Sequence, residues 1–475
     1  MLFHTLDFAL FLALVWPAAL LLRRTRQQNL LLLVASYFFY GWWEWRYVPL
    51  LMVSTGVDFV VARAIEKTSD VARRRRLLGV SLAANLGMLG FFKYWDFFAA
   101  SSNGLATWLG AGDVLPELHW LLPIGISFYT FQSMAYTIDV YRGQIPASRS
   151  LVEFATFISF FPQLVAGPIE RARNLLRAIA APRRIDLVAI EAGVFLFAQG
   201  WLLKSVADVL GTVADPIFAS PKEQGAWMLL WGAYAFIFQI YCDFFGYSQM
   251  ARGVARCFGI SLMENFRAPF FAPNVRELWA RWHVSLTSWL RDYVFYPLGG
   301  TGRGRARLLL NLFVVMLLAG LWHGAGWNYV LWGAGFGLIL VGHELLSGGA
   351  GARRSTSPRS ALRLALGCFA SFHAFTLAGV MFRAQVGSGG SAVAQGIAHL
   401  SGLGGLFASE WQSPPLALGW IVLVWLFDVL QLRAGTSSWS STWPWPARGF
   451  AIAGMLVAAV ILAGPETRSF IYFQF

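Results

Sequence analysis

Apolar residues fill this chain in long blocks, and the polar ones gather in the gaps between them. A helix needs about 20 mostly apolar residues to cross about 30 Å of hydrocarbon. By that measure the blocks predict membrane helices over roughly 6–22, 29–45, 47–65, 77–98, 120–140, 187–207, 227–248, 308–323, 328–347, 361–382, 416–432 and 449–464. The expected fold is all-α: a polytopic membrane protein with about 11–13 transmembrane helices. It forms a single integral-membrane domain over 1–475. Two further stretches, 151–169 and 269–300, are apolar but broken by Pro, Gly and Arg. They read as re-entrant or interfacial segments, which lipid permits only where protein or water covers the backbone. The Gly/Ser/Arg stretch over about 347–360 reads as a flexible cytoplasmic loop.

Composition sharpens this picture. The chain is 57% hydrophobic and only 13% charged, against roughly 25% charged in an average soluble domain. That excludes disorder and a nucleic-acid-binding domain, and it argues against a soluble enzyme. The net charge of +13 needs no anionic partner, because 31 of the 37 Lys and Arg fall in alternate loops. The basic loops are 23–28, 63–76, 142–184, 252–307, 352–363 and 433–448; those at 99–119, 208–226, 324–327 and 383–415 are poor in basic residues. One orientation satisfies all of them, with basic loops in the cytoplasm and both termini outside. The first apolar block has no basic residue before it and Arg23, Arg24 and Arg26 after it, so it reads as a membrane helix and not a cleaved signal. The three cysteines make no CxxC pair, and neither a disulfide framework nor a metal site is expected.

Ionisable groups within membrane segments are costly, so each is a candidate for function. Of the seven histidines, His4, His119, His343, His373 and His399 sit singly at span ends, in outside loops or on apolar helices, and read as packing residues. His283 and His323 have richer surroundings. His283 lies in Trp279-Ala280-Arg281-Trp282-His283, an amphipathic segment expected to dip from the cytoplasmic face. His323 lies in Trp322-His323-Gly324-Ala325-Gly326-Trp327-Asn328, where one helix ends and another begins. A titratable imidazole beside loosened backbone N–H groups suits a general base for acyl transfer; the competing reading is that both histidines only cap or bridge helices. Arg303 and Arg305, in a Gly-rich basic loop, could hold the phosphates of a cofactor, or could simply mark a cytoplasmic loop. The segments 160–171 and 241–249 place acid or amide side chains beside helix breakers, where a tight turn with a salt bridge is the competing reading. The aromatic tail 470–475 reads as an interfacial anchor, although its expected outside location beside the His323 end makes Tyr472 a possible phenol nucleophile.

Taken together, several segments resemble the membrane-bound O-acyltransferase family, in its bacterial branch of alginate and other polysaccharide O-acetyltransferases. They run in order along nearly the whole chain: Ala35 to Trp43, Pro123 to Gln132, Phe160 to Ile169, Glu264-Asn265-Phe266, the Trp-His-Val-Ser-Leu block from Trp282 to Gly300, and Trp322 to Asn328. The last two are the most specific. The resemblance implies that His323 is the catalytic histidine and His283 the second signature position. It implies substrate-tunnel candidates at Trp322, Asn328, Asp243 and Asn265. One departure is that Gln249 follows Gly246-Tyr247-Ser248 where the branch usually has Asp, which leaves Asp243 as the nearby acid.

The tail resembles the end of a small membrane partner in teichoic acid D-alanylation, which implies a covalent acyl relay at Tyr472. The expected activity is transfer of an acetyl group from cytoplasmic acetyl-CoA, without a metal, for O-acetylation of an exported polysaccharide such as alginate. The expected location is the bacterial inner membrane. Expected partners are a periplasmic acetyltransferase or export-complex subunits, the polysaccharide acceptor and membrane lipids, with no nucleic acid. Peptidoglycan or teichoic acid O-acylation is the nearest alternative; a non-catalytic lipid or sugar transporter is the rival from another class.

Overall fold

A computed structural model describes all residues except 166, 184, 348–359, 385–390, 465–467, 469 and 472–475. Every one of the twelve apolar blocks contains a helix, and the described residues hold no strand. Among the described residues, nine helical stretches are long and apolar enough to cross a membrane, and the first of them, Thr25–Lys67, holds two of the predicted spans. The protein is therefore a multi-pass membrane protein. The loop expected at 347–360 falls almost wholly outside the described residues, as does Tyr472.

In chain order the α-helices are α1 (Leu6–Leu21), α2 (Thr25–Glu44), α3 (Val48–Lys67), α4 (Val71–Leu89), α5 (Trp95–Trp108), α6 (Ile126–Tyr141), α7 (Leu151–Ser159), α8 (Phe161–Leu164), α9 (Leu175–Ala180), α10 (Leu187–Ala219) and α11 (Ala226–Cys257). There follow α12 (Val275–Arg281), α13 (Val284–Leu290), α14 (Arg305–His323), α15 (Trp327–Leu346), α16 (Ala361–Arg383), α17 (Ala392–Gly402), α18 (Trp420–Ala434) and α19 (Trp445–Leu462). They group into two compact units, residues 1–197 with 248–263, and residues 198–247 with 264–475.

The first unit is organised around buried polar groups. Asp58 on α3 is fully buried and accepts hydrogen bonds from Ser81, Asn85, Ser133 and Thr137 on α4 and α6. A carboxylate placed in lipid would be prohibitive, but four donors make it a node that fixes the register of three helices. The span expected at 120–140 begins only at Ile126, because Pro123 and a left-handed Gly125 (φ 76°) precede it. The stretch predicted to be re-entrant breaks at Phe160 between α7 and α8, inside protein: Phe160 and Phe161 are fully buried, and the Phe161 N–H donates to Ser36 Oγ at 3.0 Å. That is the cover such a break requires.

The second unit carries α12 to α19 and the 198–247 parts of α10 and α11. Residues 241–249 do not form the turn that the sequence suggested. They lie inside the continuous helix α11. Gly246 serves close approach instead: a Cβ there would strike the Gly200 carbonyl and the Lys204 backbone of α10. Small residues let membrane helices pack backbone to backbone. The same device joins α14 to α15, where a Cβ on Gly320 would meet the Tyr329 carbonyl and Gly333, and one on Gly333 would meet the Met316 carbonyl.

Candidate active site

Both singled-out histidines fall in the second unit, and the fold brings them together: their ring centroids lie 6.4 Å apart. His323 is the last residue of α14, and Gly324 after it has extended backbone. The two glycines there make room for Tyr329, whose ring a Cβ on Gly324 would overlap. The imidazole is buried among Trp322, Trp332 and Phe382, at centroid distances of 5.0, 5.2 and 5.2 Å. It lines a small cavity of about 20 Å³ whose other walls include Ile240, Trp282, Trp332, Phe375 and Phe382. Among the described residues, His323 is the one titratable group lining that cavity.

His283 reaches this point by a strained turn. It links α12 to α13 with φ 43° and ψ 54°, a left-handed conformation uncommon for any residue with a side chain. Asn265 holds the turn. Its carbonyl accepts the Val284 N–H at 2.9 Å and its side-chain oxygen accepts the Ser285 N–H at 3.3 Å, while the Arg267 N–H donates to the Arg281 carbonyl at 3.0 Å. The His283 ring packs edge-on to Phe244 at 4.6 Å and lies 5.6 Å from Trp322. Burial disfavours its charged form and pulls the pKa down to about 3, so this imidazole stays neutral at physiological pH. The folded protein thus refuses a proton that the unfolded chain takes up below about pH 6.5. This contribution leaves stability intact above that pH and lowers it as pH falls toward 3. Two substitutions separate strain from charge. His283→Asn, which tolerates the left-handed region, should keep the fold and flatten the acid limb of thermal stability between pH 7 and 5. His283→Val should cost roughly 1–3 kcal/mol at every pH. Differential scanning fluorimetry in detergent checks both; equal acid limbs in wild type and His283→Asn would reject the assignment.

The other expected residues distribute unevenly. Trp322 packs against both histidines. Asn328 is buried, but its amide donates to the Ala384 carbonyl at 3.0 Å, tying the start of α15 to the end of α16. Asn265 supports the His283 turn. Asp243 faces a different, polar cavity with Lys204 and Asp208. Arg305 is exposed at the far end of α14, eighteen residues or about 27 Å of helix from His323, and Arg303 is exposed just before it. Arg305 donates to the Leu345 carbonyl at 3.2 Å, so it caps the end of α15 and is not brought to the histidines. Two of the packing histidines have conventional partners: His373 meets the Tyr234 hydroxyl at 2.7 Å, and His399 the Leu229 carbonyl at 2.9 Å.

Sequence reasoning missed several buried charged groups, Asp58, Lys204 and Asp428 among them. Lys204 on α10 is 2.6 Å from Asp208 and 2.9 Å from Asp243. Its i,i+4 spacing to Asp208, just past the end of an apolar block, was the available signal. Asp428 on α18 accepts from the Tyr241 hydroxyl at 2.6 Å, and no local pattern points to that partner.

The pattern of the membrane-bound O-acyltransferase family matches residues 143–384, just over half of the chain and a range that includes both histidines. The chain belongs to this family. A probable alginate O-acetylase of Pseudomonas putida is 42% identical over 307 residues, 63% of this chain and 62% of its own length. A peptidoglycan O-acetyltransferase of Helicobacter pylori is 34% identical over 391 residues, 76% of this chain and 72% of the relative. A teichoic acid D-alanyltransferase of Bacillus subtilis is 29% identical over 225 residues, 44% of this chain and 56% of the relative. The match thus spans less than two thirds of the alginate O-acetylase from P. putida.

Proposed function

We propose that this protein is a membrane O-acyltransferase that takes an acetyl group from cytoplasmic acetyl-CoA and delivers it for O-acetylation of an exported polysaccharide, alginate or a related polymer. The observation that carries the reading is the His323 imidazole in the wall of an aromatic cavity, with a neutral His283 6.4 Å away. The relatives' names share the transfer of a small acyl group, acetyl or D-alanyl, to alginate, peptidoglycan or teichoic acid.

In the first step the Tyr472 phenol attacks the thioester carbonyl. An O–C bond forms, the C–S bond breaks, and the phenolic proton passes through His323 to the departing thiolate. In the second step an acceptor hydroxyl attacks the tyrosyl ester, and its proton passes through His323 to the phenolate. His283, held neutral, neither repels a protonated His323 nor competes for the proton. The acceptor side involves periplasmic transferase or export-complex partners, and the enzyme sits in the inner membrane with both termini outside.

Purified protein incubated with radiolabelled acetyl-CoA should carry label that Tyr472→Phe abolishes. Label surviving in Tyr472→Phe would move the carrier to another residue. Absence of both label and CoA release in wild type supplied with acceptor would reject acetyl-CoA as donor.

A further inference from the structure

The second unit holds a group of six charged side chains that the acyl-transfer steps leave unused. On α10 and α11, Lys204 is 2% exposed and bridges Asp208 and Asp243, at 2.6 and 2.9 Å. At the end of α10, Asp215 takes Arg383 of α16 on one carboxylate oxygen at 2.7 Å and Arg468 on the other at 2.5 Å. Five of these side chains belong to helices. The sixth, Arg468, belongs to the segment that follows α19. The helices alone supply Lys204 and Arg383 against Asp208, Asp215 and Asp243, one positive charge too few. Arg468 completes the balance. Asp215 and Arg468 are 38% and 36% exposed and form the open side of this cluster, while Lys204 and Asp243 form its buried side.

Three further observations place the C-terminal segment in the same spot. The Ile471 N–H donates to Asp243 Oδ2 at 2.6 Å, so the carboxylate that holds Lys204 also grips the tail backbone. Phe470 is fully buried, with ring centroids 4.7 Å from Tyr247 and 5.8 Å from Phe244. Phe244 is the ring that packs on His283 at 4.6 Å. Finally, Gly211 on α10 has no side chain where a Cβ would strike the Arg468 guanidinium and the Gln239 amide. These groups line one small polar cavity of about 30 Å³, bounded by Lys204, Asp208, Asp215, Asp243, Arg468 and Ile471.

We propose that this cluster is a two-point latch for the C-terminal segment: Asp215 seats Arg468, Asp243 seats the Ile471 amide, and both aspartates are positioning residues for Tyr472, the next residue in the chain. The positioning role rests on the relay reading above; the latch itself does not. Amide hydrogen exchange by mass spectrometry on the full-length protein in detergent tests it, comparing wild type with Arg468→Gln, Asp215→Asn and the charge-conserving Arg468→Lys. The C-terminal peptide should exchange at least roughly tenfold faster in the first two variants, with Arg468→Lys close to wild type and exchange in α11 unchanged throughout. Unchanged tail exchange in both Arg468→Gln and Asp215→Asn would overturn the latch. Polymer acetylation and CoA release are measured on the same samples. Faster tail exchange with a fall in acetylation supports the positioning role. Faster exchange with undiminished acetylation leaves the latch standing and overturns the positioning role.

Discussion

His323→Ala is expected to lower acetyl transfer by roughly two to four orders of magnitude, the usual contribution of a positioned general base. The expectation rests on where the side chain sits. It ends a membrane helix, it is buried, and it lines a cavity otherwise walled by aromatic and aliphatic groups. Among the described residues, no other titratable side chain lines that cavity to take over the proton. The loss should appear in turnover, with the thermal midpoint moved little, because the imidazole's neighbours are rings that close on a small void. Steady-state kinetics with labelled donor, beside a melting curve, distinguishes the two effects. Activity within threefold of wild type would remove His323 from the reaction.

The second large effect is on folding. Gly320→Leu should destabilise the protein by on the order of 3 kcal/mol or more, because overpacking here meets backbone and not a movable side chain. A Cβ at 320 would collide with the Tyr329 carbonyl and with Gly333 across the α14–α15 crossing. His323 lies three residues further along the same helix, so forcing the pair apart also displaces the imidazole. Gly335→Leu on α15 is the matched control, since nothing lies within 4 Å of its Cβ position. Monodisperse, wild-type-like elution and melting of Gly320→Leu would show that the crossing tolerates a side chain. Disruption by Gly335→Leu instead would place the critical contact elsewhere.

These positions also show what could be read in advance. The helices were legible because length and apolarity alone define a membrane span, and each expected block does hold a helix. The break at His323 was legible because Gly324 and Gly326 flank it, and the His283 segment because charges interrupt an apolar run. Gly246 misled. A glycine followed by polar residues reads as a turn, whereas a neighbouring helix backbone makes it a packing contact within α11. Asn265 and Asn328, tunnel candidates by resemblance, also make hydrogen bonds to backbone, at the His283 turn and at the end of α16. The partnerships of Asp428 with Tyr241, and of Asp243 with the Ile471 amide, span 187 and 228 residues. Local spacing contains no record of such distances.

The division into two units has a consequence for biosynthesis. The first unit is not a contiguous stretch: it needs residues 248–263, which arrive after the chain has already supplied 198–247 to the second. Helices α10 and α11 each contribute to both. Synthesis runs from the N-terminus, and domains that are continuous in sequence complete themselves in that order. Here the earlier unit cannot finish until residue 263 has left the ribosome. A gene cut after residue 197 would yield a fragment lacking one of its own parts, and supplying the remainder as a second polypeptide would have to return that part from the other piece.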